Sequence, residues 1–188
     1  MSPVLETLAD LVRINSVNSS YEGGPGEAAV AEYVKAFFAT RGIETWEQVV
    51  FPGRNNVIAR LPGRDAGRKL VYEAHMDTVS IRGMTIDPFD PVIRDGKMFG
   101  RGSVDTKAGL ASMMHALADI HASGEKPPCE VWLAAVVDEE FSFRGVVKLC
   151  EDLQAAAAIV AEPTEMRCVT ASKSCLRWKN QVQGKSMH

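Results

Sequence analysis

The apolar and polar positions along the chain change period several times, and each change marks an element. Near the start, Val4, Leu5, Leu8, Leu11 and Val12 form a stripe at helical spacing. Ser2-Pro3 stands ahead of it as an N-cap with proline at the first helical position. Residues 15–26 are rich in Asn, Ser and Gly and read as loop. A second helix is predicted over 27–40, with Ala28, Ala31, Val34, Phe37 and Phe38 on its inner face. Arg41-Gly42 ends it, a cation in the last turn followed by glycine.

The pattern then turns to strands, over 43–51, 56–61 and 69–74. Asp95-Gly96, at the centre of 93–98, marks a hairpin turn. A helix is expected over 107–121 and a strand over 130–137. A helix over 145–153 and a short apolar strand over 157–161 follow. Residues 167–183 alternate in the β manner. Strands alternating with helices predict an α/β fold, a mostly parallel mixed sheet with helices on both faces.

In such sheets sites form at the carboxyl ends of the strands. His75, Glu139, Glu140 and Glu162 each stand just where an apolar strand ends, and Asp105 stands just ahead of a helix. His75 and Asp77 are two apart on a strand, so both face one side. A ligating imidazole needs a carboxylate or carbonyl behind it. Glu139 and Glu140 are neighbours and would point opposite ways on a regular strand. Both reach one site only if the strand has already turned into a loop. One would then be a ligand and the other a free carboxylate suited to a general base. Three carboxylates and an imidazole suit a divalent metal of the zinc type. A surplus of carboxylates points to two such ions.

Composition narrows the classes. With 188 residues, 46% hydrophobic and 24% charged, the chain has the make-up of a globular domain, one or one and a fraction. A net charge of -3 excludes a basic footprint for nucleic acid. No apolar run has the length of a membrane span. Residues 1–16 lack a basic region followed by an apolar one, so no signal peptide is expected. Cys129, Cys150, Cys168 and Cys175 form no C-x-x-C pair and read as free thiols of a reducing cytoplasm. Gly100 to Lys107 lacks the G-K-[ST] ending of a phosphate loop. Met113 and Met114 read as core filler, and Lys173, Arg177, Lys179 and Lys185 as a solvated face.

Four ordered motifs carry a resemblance: H-M-D-T-V at 75–79, G-R-G-S-V-D-T-K-A-G at 100–109, V-D-E-E at 137–140 and A-E-P-T at 161–164. The chain resembles the co-catalytic zinc metallopeptidases that include acetylornithine deacetylase, succinyl-diaminopimelate desuccinylase, aminoacylase and carboxypeptidase G. The resemblance implies a metal-dependent hydrolase of an amide bond in an N-acyl amino acid or short peptide. It implies two Zn2+ ions, with Co2+ or Mn2+ as substitutes. His75 and Glu162 would bind one zinc, Asp105 would bridge both, and Glu140 would bind the other. Asp77 would hold the His75 ring from behind. Glu139 would be the general base, taking a proton from water and returning it to the leaving nitrogen. The peptide bond from Asp105 to Thr106 is expected to be cis. Glu162 rather than Asp leans toward the deacylase and carboxypeptidase branches.

In that family a smaller α+β lid, often the dimerisation domain, is inserted between two catalytic segments. Residues 1–175 correspond to the first segment, and 176–188 to the start of the lid with its first strand. The family's last zinc ligand, a C-terminal His, has no counterpart here. His115 and His121 lie six apart on one helix and point to different faces. His188 matches a lid His that reaches the partner subunit's active site and stabilises the oxyanion. A homodimer is therefore expected of the full-length form, in the cytoplasm that the free thiols suggest, and two readings stand: the N-terminal part of a longer hydrolase, or a short form that binds metal incompletely or acts only by association.

Overall fold

A computed structural model describes residues 1–173, 175, 178 and 180–184. Its elements are α1 (Pro3–Arg13), α2 (Ala28–Ala39), β1 (Glu44–Phe51), β2 (Arg54–Leu61), β3 (Asp65–His75), β4 (Val92–Arg94), β5 (Lys97–Phe99), α3 (Lys107–Ala122), β6 (Cys129–Val136), α4 (Arg144–Asp152) and β7 (Ala157–Val160). The main sheet has 5 strands in the order β1-β2-β6-β3-β7. β6, β3 and β7 pair in parallel, while β2 runs antiparallel to both β1 and β6. All strands but β2 therefore point the same way. That is the mostly parallel mixed sheet expected from the alternation of strands and helices.

Helices cover both faces. α1, α2 and α3 pack Leu11, Val12, Val34, Phe38, Leu110, Met114 and Leu117 against Val57, Ala59, Ala74, Leu133 and Ala135. α4 lays Leu149 on Ile58, Val71, Ala134 and Val136 on the other face. The split follows the period of two along each strand, since alternate residues face opposite sides. On β3, Val71 faces α4 and Ala74 faces the larger core.

Differences from the sequence reading are local. β3 begins at Asp65 rather than Lys69, with an irregularity in its pairing to β6 between those two residues. On α2 the inner face carries Val30 in place of Ala28, which is exposed at the first turn. Leu5 is also exposed, at the edge of the α1 stripe. Arg41 donates to the Phe37 carbonyl at 2.7 Å, closing the end of α2 as its position predicted. Asp95 and Gly96 both have positive φ (52° and 70°), the type I′ geometry of a two-residue hairpin.

Over 167–183, where the sequence alternates in the β manner, no strand is assigned among the described residues. Of the expected lid start at 176–188, the first strand is not seen among the described residues, and His188, Arg177, Lys179 and Lys185 lie outside them. The four cysteines are free. No helix is long and apolar enough to cross a membrane among the described residues.

Candidate metal centre

Three parallel strands end at one edge, and each delivers a candidate ligand. β3 ends at His75. β6 ends at Val136, and Glu139 and Glu140 follow in a turn. β7 ends at Val160, two residues before Glu162. Asp105 arrives from the other direction, just ahead of α3, and its peptide bond to Thr106 is cis. The start of α3 is docked on the exit of β7. Thr106 Oγ1 donates to the Ala161 carbonyl at 2.6 Å. Gly109 sits where a Cβ would come within 2.4 Å of the Ala161 Cβ, so the close approach requires glycine.

The side chains converge on the His75 ring. Nε2 of His75 lies 3.1 Å from Asp105 Oδ1, 3.9 Å from Glu139 Oε2 and 3.9 Å from Glu162 Oε1. Among the described residues two groups offer ligand atoms within 4.8 Å of one another: His75, Asp105 and Glu162, and His75, Glu139 and Glu140. The ring is 1% exposed, whereas the side chains of Asp105, Glu139 and Glu162 are 51%, 29% and 38% exposed. The imidazole is thus the buried floor of the centre, and the carboxylates are its open rim.

Asp77 stands behind the ring. Nδ1 of His75 meets the Asp77 main-chain carbonyl at 2.9 Å, and the Asp77 carboxylate at the longer distance of 3.4 Å. The sequence left a carboxylate or a carbonyl open for that role, and the carbonyl of Asp77 is the nearer partner. The carboxylate also holds the glutamate turn: Oδ1 accepts from the Glu139 N–H and Oδ2 from the Glu140 N–H, both at 3.1 Å. The chain has left the strand here, and that lets both adjacent glutamates face one centre.

The electrostatics follow from burial and crowding. Burial works against a charged His75, but the hydrogen bonds to Asp105 and Asp77 and the charge of Glu139 outweigh it, pushing the ring up to about 11. Burial pushes Glu140 up to about 7, with His75 opposing and Asp105 and Glu139 reinforcing the rise. Glu162 is raised by burial in the same way. Glu73, on the same face of β3 as His75, is pushed up to about 7 by burial, with Glu162, Glu139 and Asp77 adding to it. Burial is the larger cause for the three glutamates, and the crowding of carboxylates around His75 adds to it. Asp77 is the exception: burial would raise it, but the bonds from His75 and Asn18 hold it below the ordinary range.

Sequence reasoning missed five residues beside the centre. One is Glu73. The others form a buried chain: Asn18 Nδ2 donates to Asp77 Oδ2 (2.7 Å) and to Asp138 Oδ1 (3.1 Å), and Arg54 donates to Asp138 and to both oxygens of Glu27. His115 is elsewhere, bonded to Thr7 Oγ1 at 2.9 Å and edge-on to Phe37. It lines a crevice of about 380 Å³ that contains none of the residues at the strand ends.

The sequence model of peptidase family M20/M25/M40 matches residues 71–173. An uncharacterized metallohydrolase of Methanocaldococcus jannaschii is 35% identical over 147 residues, covering 70% of this chain and 35% of that protein. The N-formyl-4-amino-5-aminomethyl-2-methylpyrimidine deformylase of Bacillus subtilis is 27% identical over 175 residues, 87% of this chain and 41% of that one. Among solved structures, aminopeptidase PepT from Bacillus cereus superposes with a TM-score of 0.68 at 26% identity, over 85% of this chain and 43% of that one. The chain thus spans well under half the length of these relatives.

Proposed function

The chain belongs to peptidase family M20/M25/M40, and on that premise we propose that it serves a metal-dependent hydrolase of the amide bond in an N-acyl amino acid or short peptide. One observation carries the reading: a buried imidazole Nε2 lies within 3.9 Å of carboxylates delivered by three separate segments. The donor set fits a divalent ion of the zinc type, one ring nitrogen and several carboxylate oxygens at an open edge. The relative named as a deformylase supports a substrate with an N-acyl group.

His75, Asp105 and Glu162 would hold one zinc; Glu140, with Asp105 as the shared ligand, would hold a second, and Co2+ or Mn2+ would substitute. A divalent ion held there supplies polarisation of a carbonyl and acidification of water. The chain's own groups do the rest. Glu139, partly exposed beside the ring, accepts the proton of the attacking water and returns it to the leaving nitrogen. Asp77 fixes the ring with its carbonyl and the glutamate turn with its carboxylate. Glu162 favours the deacylase and carboxypeptidase branches. A cytoplasmic homodimer, with His188 of one subunit reaching the site of the other, completes the reading.

A second reading has its own observation. His75 is the only imidazole in either ligand group among the described residues, which favours a fragment that binds metal incompletely or acts only by association. The test is Glu139→Ala, assayed for zinc content and for turnover of N-acetyl amino acids and dipeptides. Metal content should hold while the rate falls by a factor of about 100 or more. A variant that keeps its rate would refute the role of Glu139, and a parent that binds zinc without turnover would favour the second reading.

A further inference from the structure

The turn that carries Glu139 and Glu140 is held by more than the groups it presents. Asp138, its first residue, has φ 67°. That left-handed conformation is unfavourable for a non-glycine residue, and Asp tolerates it best when its short side chain is bonded locally. Here the carboxylate is bonded on all sides: by Asn18 Nδ2 and Arg54 Nη2, each at 3.1 Å, and by Ser142 Oγ. The Asp138 N–H goes to Glu27 Oε1 at 3.1 Å. Glu27 is fully buried at the start of α2 and is clasped by Arg54 at 2.7 and 2.6 Å. Asn56 pins the residues on either side, accepting from the Val137 N–H at 3.0 Å and donating to the Gly145 carbonyl at 2.8 Å.

Asn18 links this assembly to the centre. Its amide has two N–H donors; one goes to Asp138 and the other to Asp77. Its oxygen accepts from the Ser20 N–H at 2.9 Å. Every hydrogen-bonding direction of that side chain toward the site is used. Asp77 in turn accepts the N–H groups of Glu139 and Glu140 on its two oxygens. A path of direct hydrogen bonds therefore runs from Glu27 and Arg54, through Asp138 and Asn18, to the carboxylate beneath both glutamates.

We propose that Asn18, Arg54 and Glu27 are positioning residues for the metal centre: through Asp138 and Asp77 they lock the left-handed turn that aims Glu139 and Glu140 at the His75 ring. This rests on the metal-centre reading above. The network sets the geometry before any ion arrives, so its loss shows in metal affinity and coordination even in a folded protein.

The test uses the metal-free full-length protein and Co2+, with affinity from equilibrium dialysis, coordination from the visible absorption spectrum, and thermal unfolding as the check on folding. Asn18→Ala removes both donors, and Arg54→Lys keeps the cation but loses the two-pronged grip on Glu27. Both are expected to unfold cooperatively, to bind Co2+ about 10–100-fold more weakly, and to show an altered spectrum. Arg54→Lys decides the matter by the same criteria if Asn18→Ala does not fold. Folded variants with the parent's affinity and spectrum overturn the proposal. His75→Ala separates the two ideas. If it binds Co2+ as the parent does, the metal reading itself fails and takes the positioning role with it. If it loses Co2+ while Asn18→Ala keeps it, only the positioning role fails.

Discussion

Titration of the metal-free protein with Zn2+ between pH 6.5 and 8.5 is expected to show affinity rising about tenfold or more per pH unit. The reason lies in His75. Its ring is buried, yet Asp105 and Asp77 hold its proton so firmly that it titrates at about 11. A metal takes only the neutral imidazole. At pH 7 the ring must therefore be deprotonated some four units below its own value, a cost of about 5 kcal/mol at 1.36 kcal/mol per unit. One proton leaves this group across the whole range, with the ion that the ring takes. Glu73 and Glu140, each pushed up to about 7, are half protonated at that pH. A divalent charge beside them drives those protons off as well. The release at pH 7 should then lie between about one and two protons, falling toward one by pH 8.5 as the glutamates ionise unaided. Calorimetric titration in two buffers of equal pH and different ionisation enthalpy counts the protons directly. Affinity independent of pH, with under about half a proton released, would refute the account, because the ring could not then be both charged before binding and a ligand after it.

Three further outcomes follow from packing and charge. Leu133→Ala, at a fully buried position in the larger core, should cost about 2–5 kcal/mol in urea unfolding; a loss under about 1 kcal/mol would mean that the core closes over the gap. Gly145→Ala would place a Cβ about 2.0 Å from the Val137 carbonyl oxygen, forcing α4 off the end of β6; a destabilisation of about 1–3 kcal/mol is expected, and a neutral variant would mean that α4 shifts freely. Glu130 is held below its ordinary range: burial opposes ionisation, but Arg60, Trp132 and Lys69 outweigh it. A depressed carboxyl stabilises the fold above its unfolded value, 4.5 here, and that contribution fades as the pH falls through the folded value. Compared with Glu130→Gln, the parent should lose more stability below about pH 4.5; equal acid sensitivity in the two proteins would remove Glu130 from the account.

The parts of the site that were legible in the sequence are those written by the backbone. An apolar run that stops marks the end of a buried strand, and His75 and Glu162 could be placed by the ends of the runs at 69–74 and 157–161. The glycines around Asp105 and the helical stripe after it placed that residue as well. The network behind the site left no such trace. Asn18 meets Asp77 across 59 residues and Asp138 across 120, and Glu27 meets Asp138 across 111. Single polar residues at those separations have no period and no local motif. Asn18 read as one more loop polar residue, Glu27 as an ordinary acid at a helix start, and Asp138 only as the residue ahead of the two glutamates in V-D-E-E. The one available signal was a fully polar residue, Glu27, opening a helix whose next face is apolar. Strand order was hidden for a related reason. β2 and β3 are consecutive in the chain, but β6 lies between them, and nothing in either strand's own pattern says that a later strand will enter there.

The two buried networks that meet at Asp77 differ in charge supply, and that difference argues for a metal rather than a structural ion cluster. On the Asn18 side the charges are matched: Arg54 answers Glu27 and Asp138 directly, and its own pKa is raised by both. A structural network looks like this, closed and paired. On the His75 side the ion pairs of Asp105 and Glu162 fall on the same imidazole nitrogen, and Glu73, Glu140 and Glu162 are all pushed toward their neutral forms. Glu140 and Glu162 follow strand ends, and Asp105 and Glu162 are open to solvent. A proton on His75 relieves one unit of the excess; a divalent cation relieves more and reaches several carboxylates at once. Among the described residues Arg54 is thus committed to holding the turn, and a cation from solution suits the open face.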